Sequence, residues 1–256
     1  MKRVILYKDE YSDEFSPRKL KSRFIDGKYR YISASPARRL VGGLLYYGIF
    51  APVGHIYLSL KFAHRTVGRE KLRGFGKSGY FLMGNHTQDI ADAFIPHLAV
   101  FGRMKNTVAN PSNLTIPIIG GLLPLVGVLP LPCTVRSAKS FNDAVCKSIK
   151  DGRAVIIYPE GHIWPYYTGI RPFSDACFDF ACKTDAPIFT FTNVYLKRRL
   201  SSRPRIVTYI DGPFYPQRDI KGRERRKELR DRVYGAMCRR AALSEVEFIK
   251  YIKDES

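Results

Sequence analysis

Residues 80–94, YFLMGNHTQDIADAF, pass from a short apolar run through a polar turn into a segment of helical spacing. The run has the length of a strand, Gly84 and Asn85 end it, and the alternation it begins is kept downstream. Residues 154–161 (AVIIYPEG), 186–195 (APIFTFTNVY) and 205–212 (RIVTYIDG) are three more strand-length runs that close on polar turns. Helices are expected between the strands over Ala91–Phe101, Ser137–Lys150 and Phe173–Lys183. Strands alternating with helices predict an α/β fold with a mixed, largely parallel sheet flanked by helices. Such sheets carry their functional residues at the carboxyl ends of strands.

Upstream, residues 1–39 are polar and basic, with Pro17 and Pro36 interrupting any long helix. They lead into Leu40–Leu60, LVGGLLYYGIFAPVGHIYLSL, about the length of a membrane-spanning helix. Gly42, Gly43, Gly48, Pro52, Gly54 and His55 make it a poor straight span. The expectation is therefore an N-terminal membrane-associated helical segment: a broken helix lying in the interface or re-entering from the cytoplasmic side. Tyr46, Tyr47 and Tyr57 suit the headgroup level, and Lys61, Arg65 and Arg69 suit anionic lipid. A buried core helix is the alternative. Downstream, Leu114–Pro132 is apolar but studded with glycine and proline, and it reads as a hydrophobic surface, a groove wall or a buried turn. Lys221–Leu243 reads as a charged helix with Leu229, Val233, Ala236 and Met237 on one apolar stripe.

Lysine and arginine number 43 against 23 aspartates and glutamates, a formal charge of +20 that attracts phosphate-bearing surfaces. Most of the surplus lies in residues 1–39 and 197–240, while 81–170 is close to neutral. Basic flanks around an apolar centre favour an anionic membrane surface as partner, and with no helix-turn-helix, zinc knuckle or RNP motif, nucleic acid is not expected. A hydrophobic content of 45% over 256 residues excludes a disordered or collagen-like chain. A mean hydropathy of −0.21 excludes a polytopic membrane protein. Cys133, Cys146, Cys177, Cys182 and Cys238 have no metal-ligand spacing and read as reduced structural thiols, so no metal site is expected. Lys8, Asp9 and Glu10 interrupt the first apolar run, and no cleaved secretion signal is expected.

His86 stands on the turn after the first strand, with Asp89 and Asp92 just downstream. Either carboxylate can accept one imidazole N–H, leaving the other nitrogen to take a proton from a hydroxyl. No G-x-S-x-G elbow occurs in the chain, so the pair is suited to activating a hydroxyl of the substrate. A second element, YPEGHIWPYYTGIRPF at residues 158–173, delivers Glu160 and Gly161 at the end of another strand, with His162 next and Arg171 further on. Gly161 permits a tight turn, and the carboxylate and arginine suit a polar headgroup.

Together these elements resemble the glycerolipid acyltransferase family of lysophosphatidic acid acyltransferases, over roughly residues 40–215. The family carries N-H-x-x-x-x-D and, well downstream, F-P-E-G-T-R. Asn85-His86 with Asp92 stands for the first motif and Tyr158-Pro159-Glu160-Gly161 for the second. Residues 186–195 resemble the family's fourth block. Gly127–Arg136 (GVLPLPCTVR) occupies the place of its second block, a glycine leading to a phosphate-binding arginine. Two departures stand out. The spacing is His86-x5-Asp92, with Ala91 at the usual aspartate position, and Glu160-Gly161 is followed by His162-Ile163.

The resemblance implies catalysis by His86 and Asp92, with Asp89 as the alternative carboxylate, and acceptor binding by Asn85, Glu160, Gly161, Arg171 and Arg136. It implies direct transfer of an acyl group from an acyl-carrier protein or coenzyme A thioester to a lysophospholipid hydroxyl, most simply lysophosphatidic acid to phosphatidic acid. It requires no cofactor, no metal and no covalent acyl-enzyme. Oxyanion donors are expected among backbone N–H groups near His86 or in the glycine-rich block. Leu114–Pro132 is the expected acyl groove wall. The implied division is residues 1–70 as a basic arm with membrane-associated helices and 71–256 as the acyltransferase domain with its C-terminal basic helix, at the cytoplasmic face of the cell membrane. Competing readings are a lysophospholipase or thioesterase, an idle lipid-binding module and a basic nucleic-acid-binding protein.

Overall fold

The computed structural model describes residues 3–16, 20–32, 35–100, 104–199 and 201–255. In chain order its elements are β1 (Arg3–Tyr7), α1 (Pro36–Leu45), α2 (Ala51–Phe62), β2 (Arg65–Val67), β3 (Tyr80–Gly84), α3 (Ile95–Ala99), β4 (Asn106–Ala109), β5 (Val128–Pro130), α4 (Val135–Lys150), β6 (Ala154–Ile157), α5 (Asp179–Thr184), β7 (Ile188–Leu196), β8 (Arg205–Phe214), α6 (Gly222–Ala241) and β9 (Ile249–Lys253). The main sheet has the order β2-β8-β7-β3-β6-β4-β5. It is parallel except where β8 returns antiparallel to β7. The fold is thus α/β with a mixed, mostly parallel sheet, and all four predicted strand runs are strands in it.

Alternate side chains of the central strands supply two cores, as the period of two requires. Phe81, Met83, Val155, Ile157 and Ile188 meet Phe141 and Val145 of α4 and Leu229, Val233 and Met237 of α6 on one face. Leu82, Ile156, Phe189 and Phe191 meet Leu58 and Phe62 of α2 and Ile95 and Ala99 of α3 on the other. Burial of both faces explains why these strands read as continuous apolar runs.

Two predicted helices are shorter than expected. Over Ala91–Phe101 there is a 3₁₀ turn at Ala91–Ala93 and then only α3, with Pro96 in its first turn; Phe101 lies outside the described residues. Over Phe173–Lys183 the α-helix begins at Asp179, after a 3₁₀ turn at Ala176–Phe178. α4 starts at Val135 because Thr134 and Ser137 cap each other reciprocally.

The apolar N-terminal stretch is one continuous helix, Pro36–Phe62, long and apolar enough to cross a membrane. This corrects the expected break. The five residues Tyr46–Phe50 form a π-helical turn in which the Ala51 N–H reaches back to the Tyr46 carbonyl. The wider turn absorbs Pro52, which has no N–H to give. The glycines allow close packing: a Cβ on Gly42 would lie 2.3 Å from the Leu125 carbonyl oxygen, and one on Gly54 would lie 2.4 Å from the Phe94 ring. Tyr46, expected at the headgroup level, faces inward and bonds His97 Nδ1 at 2.9 Å. The opposite side, with Leu40, Leu44, Ile49, Val53, Ile56 and Leu60, is exposed. The helix ends at Ala63, whose left-handed backbone lets the Ala63 and His64 N–H groups close on Ser59 and Leu58.

Contacts cross the division expected at residue 70. β1 pairs with β9, β2 with β8, and α2 packs on α3. In Leu114–Pro132 the chain forms tight turns before β5. Leu114 and Leu129 are buried, whereas Ile118, at φ 69°, holds its side chain 93% exposed.

Candidate active site

β3 ends in the interior, and the chain turns at its carboxyl end to present His86. His86 Nδ1 lies 2.8 Å from Asp92 Oδ2, with the carboxylate buried and the histidine side chain 19% exposed. The same oxygen accepts the Thr87 and Gln88 N–H groups, each at 2.8 Å, and Asn193 Nδ2 donates to Oδ1 at 3.3 Å. Burial raises the Asp92 pKa, while the His86 contact and the two backbone donors pull it down. The x5 spacing is accommodated because residues 87–93 form turns and a 3₁₀ segment, so the extra residue shifts the backbone without misplacing the carboxylate. Asp89 lies on the half-buried rim of this turn.

The imidazole is held from several sides. Tyr158, just past β6, stacks on it with ring centroids 4.3 Å apart, and the Tyr158 hydroxyl donates to the Asp92 carbonyl at 2.5 Å. The Trp164 N–H bonds the His86 carbonyl at 3.0 Å and the Tyr166 N–H bonds the Thr87 carbonyl at 2.9 Å. With Nδ1 donating to Asp92, Nε2 is the nitrogen left to accept a proton.

The residues expected to bind the acceptor are distributed differently. The Asn85 amide is buried and spent on β7, donating to the Asn193 carbonyl at 3.0 Å and accepting the Asn193 N–H at 2.8 Å. Glu160 and Arg171 have fully buried side chains, with Arg171 Nε 3.3 Å from Glu160 Oε2 in an ion pair that lacks hydrogen-bond alignment. Arg171 also donates to the Glu10, Glu160 and His162 carbonyls and lies over the Trp164 ring. Burial lifts the Glu160 pKa to about 7, opposed first by Arg171. Asn85, Glu160 and Arg171 are thus buried in the turns around His86, with both Glu160 carboxylate oxygens and Arg171 Nε without a hydrogen-bond partner among the described residues. Gly161, at φ 78°, is exposed and shapes the turn as expected. Arg136 is exposed in the first turn of α4, with its aliphatic stem along Gly27.

Of the expected oxyanion donors next to His86, the Thr87 and Gln88 N–H groups are occupied, both serving Asp92. A cavity of about 560 Å³ lined by Phe75, Lys150, Lys183 and Tyr215 opens at the amino ends of β3 and β7, the end of the sheet opposite His86. Sequence reading overlooked Tyr158 as the ring partner and Asn193 as a carboxylate partner. The signal for Asn193 was a lone amide within the apolar strand FTFTNVY.

Residues 64–194 match the family model described as Acyltransferase, and the chain belongs to that family. No curated protein matches the sequence. Among solved structures, the fold is similar to that of the 1-acyl-sn-glycerophosphate (LPA) acyltransferase, PlsC, from Thermotoga maritima. That match has a TM-score of 0.55 at 18% identity and covers 81% of this chain and 83% of that one.

Proposed function

We propose that the protein is a membrane-associated O-acyltransferase that moves a fatty acyl group from a coenzyme A or acyl-carrier-protein thioester to the free hydroxyl of a lysophospholipid, with lysophosphatidic acid as the leading acceptor. The observation that carries this is His86, held through Nδ1 by the buried Asp92 carboxylate, with Nε2 as its remaining acceptor. Nε2 takes the proton of the acceptor hydroxyl as its oxygen attacks the thioester carbonyl. The C–S bond then breaks and the imidazolium returns the proton to the departing thiolate. Asp92 stabilises the imidazolium between these steps. Similarity to the Thermotoga maritima LPA acyltransferase supports the acceptor class.

The helix Pro36–Phe62 supports a membrane surface as the working site. Its buried residues run from Gly42 to Phe62 along the domain. A helix bound along its length to a folded domain is suited to lying in the interface with its apolar side immersed. Exposed Ile118, Ile119 and Leu122 add apolar surface beyond Gly42's contact with Leu125.

The test is purified protein with a radiolabelled acyl thioester, with and without lysophosphatidic acid, beside a His86→Ala variant. Labelled diacyl product formed only with acceptor, and lost in the variant, is expected. Thioester consumption that is equal without acceptor indicates a hydrolase, and a His86→Ala enzyme that still transfers overturns the assignment of the base.

A further inference from the structure

We infer that His64, acting through Thr208 and Asn193, is a positioning residue for the Asp92–His86 pair, an inference that rests on His86 being the base. His64 Nε2 lies 2.9 Å from Thr208 Oγ1. The Thr208 hydroxyl donates to Asn193 Oδ1 at 2.7 Å, and Asn193 Nδ2 donates to Asp92 Oδ1 at 3.3 Å. The relay follows the sheet from its centre to its edge. Asp92 folds back beneath the end of β3, Asn193 on β7 stands in register with Thr208 on β8, and Thr208 with Thr66 on β2, which His64 precedes by two positions.

The polarity of the relay is fixed from one end. A carboxylate only accepts, so Asn193 must turn its NH₂ to Asp92 and its carbonyl oxygen to Thr208. Thr208 spends its one proton on that oxygen, so His64 must carry its proton on Nε2. Burial lowers the His64 pKa to about 4, so the ring is neutral at physiological pH, as a single N–H donor requires. Asn193 and Thr208 are 1% and 0% exposed, and water does not compete for either group. Fixing Asn193 keeps a donor on Asp92 Oδ1. This favours the ionised carboxylate against the effect of burial and leaves Oδ2 aligned on His86 Nδ1.

The experiment compares His64→Leu, which lacks the donor, with His64→Gln, which restores one, and adds Thr208→Val and the Leu/Val double variant. The readouts are kcat and KM for the acyl thioester, and the proton NMR signal of His86 Nδ1–H in ¹⁵N-labelled protein. The expected result is a fall in kcat of about tenfold in His64→Leu with KM unchanged. His64→Gln should recover most of that loss, the double variant should be no worse than the poorer single one, and the ring-proton signal should move upfield in the Leu variant. A folded His64→Leu protein with wild-type kcat and an unmoved ring proton overturns the inference, as does His64→Gln behaving like His64→Leu on both readouts. The NMR signal reports the relay without turnover. If His86→Ala retains transfer while the ring proton shifts in His64→Leu, the base assignment has failed and the relay stands.

Discussion

Asp92 and Asp89 are three positions apart and chemically alike, and Asp92 accepts from the His86 ring and from two backbone N–H groups. In Asp92→Asn the charge that stabilises the imidazolium is gone, and transfer is expected to fall by about two orders of magnitude or more. Asp89→Asn, on the half-buried rim, is expected to stay within a few-fold of wild type, and steady-state kinetics on the two purified variants decide the order. The reverse ranking would move the carboxylate role to Asp89. His86 was legible in the sequence because a strand-to-turn boundary places a histidine where a nearby carboxylate can return to it, and the family motif favoured Asp92 over Asp89. Asn193 was not, because its neighbours mark the strand as apolar and its partner lies 101 positions away.

Two elements outside the His86–Asp92 pair carry predictions of their own, the segment 160–171 and the helix Pro36–Phe62. In the first, Arg171 turns inward, joining the N-terminal arm at Glu10 to the turn that holds His86. Removing one partner of a buried ion pair strands the other, so Arg171→Leu should cost about 3–5 kcal/mol, read as a lower denaturation midpoint at constant slope. In the second, the proposed membrane attachment divides into separable contributions from the exposed apolar side and from the basic residues. At about 1 M salt, where screening acts within about 3 Å, the wild-type protein is expected to stay on anionic vesicles in flotation. A Leu44→Ser/Ile56→Ser/Leu60→Ser variant should bind only at low salt. Equal release of both proteins by salt would leave electrostatics as the sole attachment. The continuity of this helix escaped sequence reading, since glycine and proline suggest a break unless a packing partner and a π-helical turn are known.

Across the molecule, two histidines are held in the neutral form, the half-buried His64 with its pKa lowered to about 4 and the buried His97 to about 3, both by desolvation first. Between pH 6.5 and those values the unfolded chain binds protons that the folded one refuses. Their contribution to stability is therefore complete above 6.5 and is lost as pH falls. Glu160 acts in the opposite sense: with its pKa raised to about 7, its ionisation removes stability as pH rises from the usual carboxylate range. Unfolding free energy measured by denaturant titration from pH 7 to 5 should fall in the wild type, less steeply in His64→Gln and more steeply in Glu160→Gln; identical slopes would contradict these burial effects. The family resemblance selects the His86–Asp92 pair, while four of the strands, the α6 stripe and the nearness of His86 to two candidate carboxylates follow from periodicity and short spacing, which are local properties of the chain. Which polar groups surround that pair does not, because residues 64, 92, 193 and 208 meet only through the strand order β2-β8-β7-β3 and its register. Register is set by which faces are buried once the sheet assembles, and so the folded sheet alone could show that Asn85 and Arg171 brace the site and that His64 reaches it.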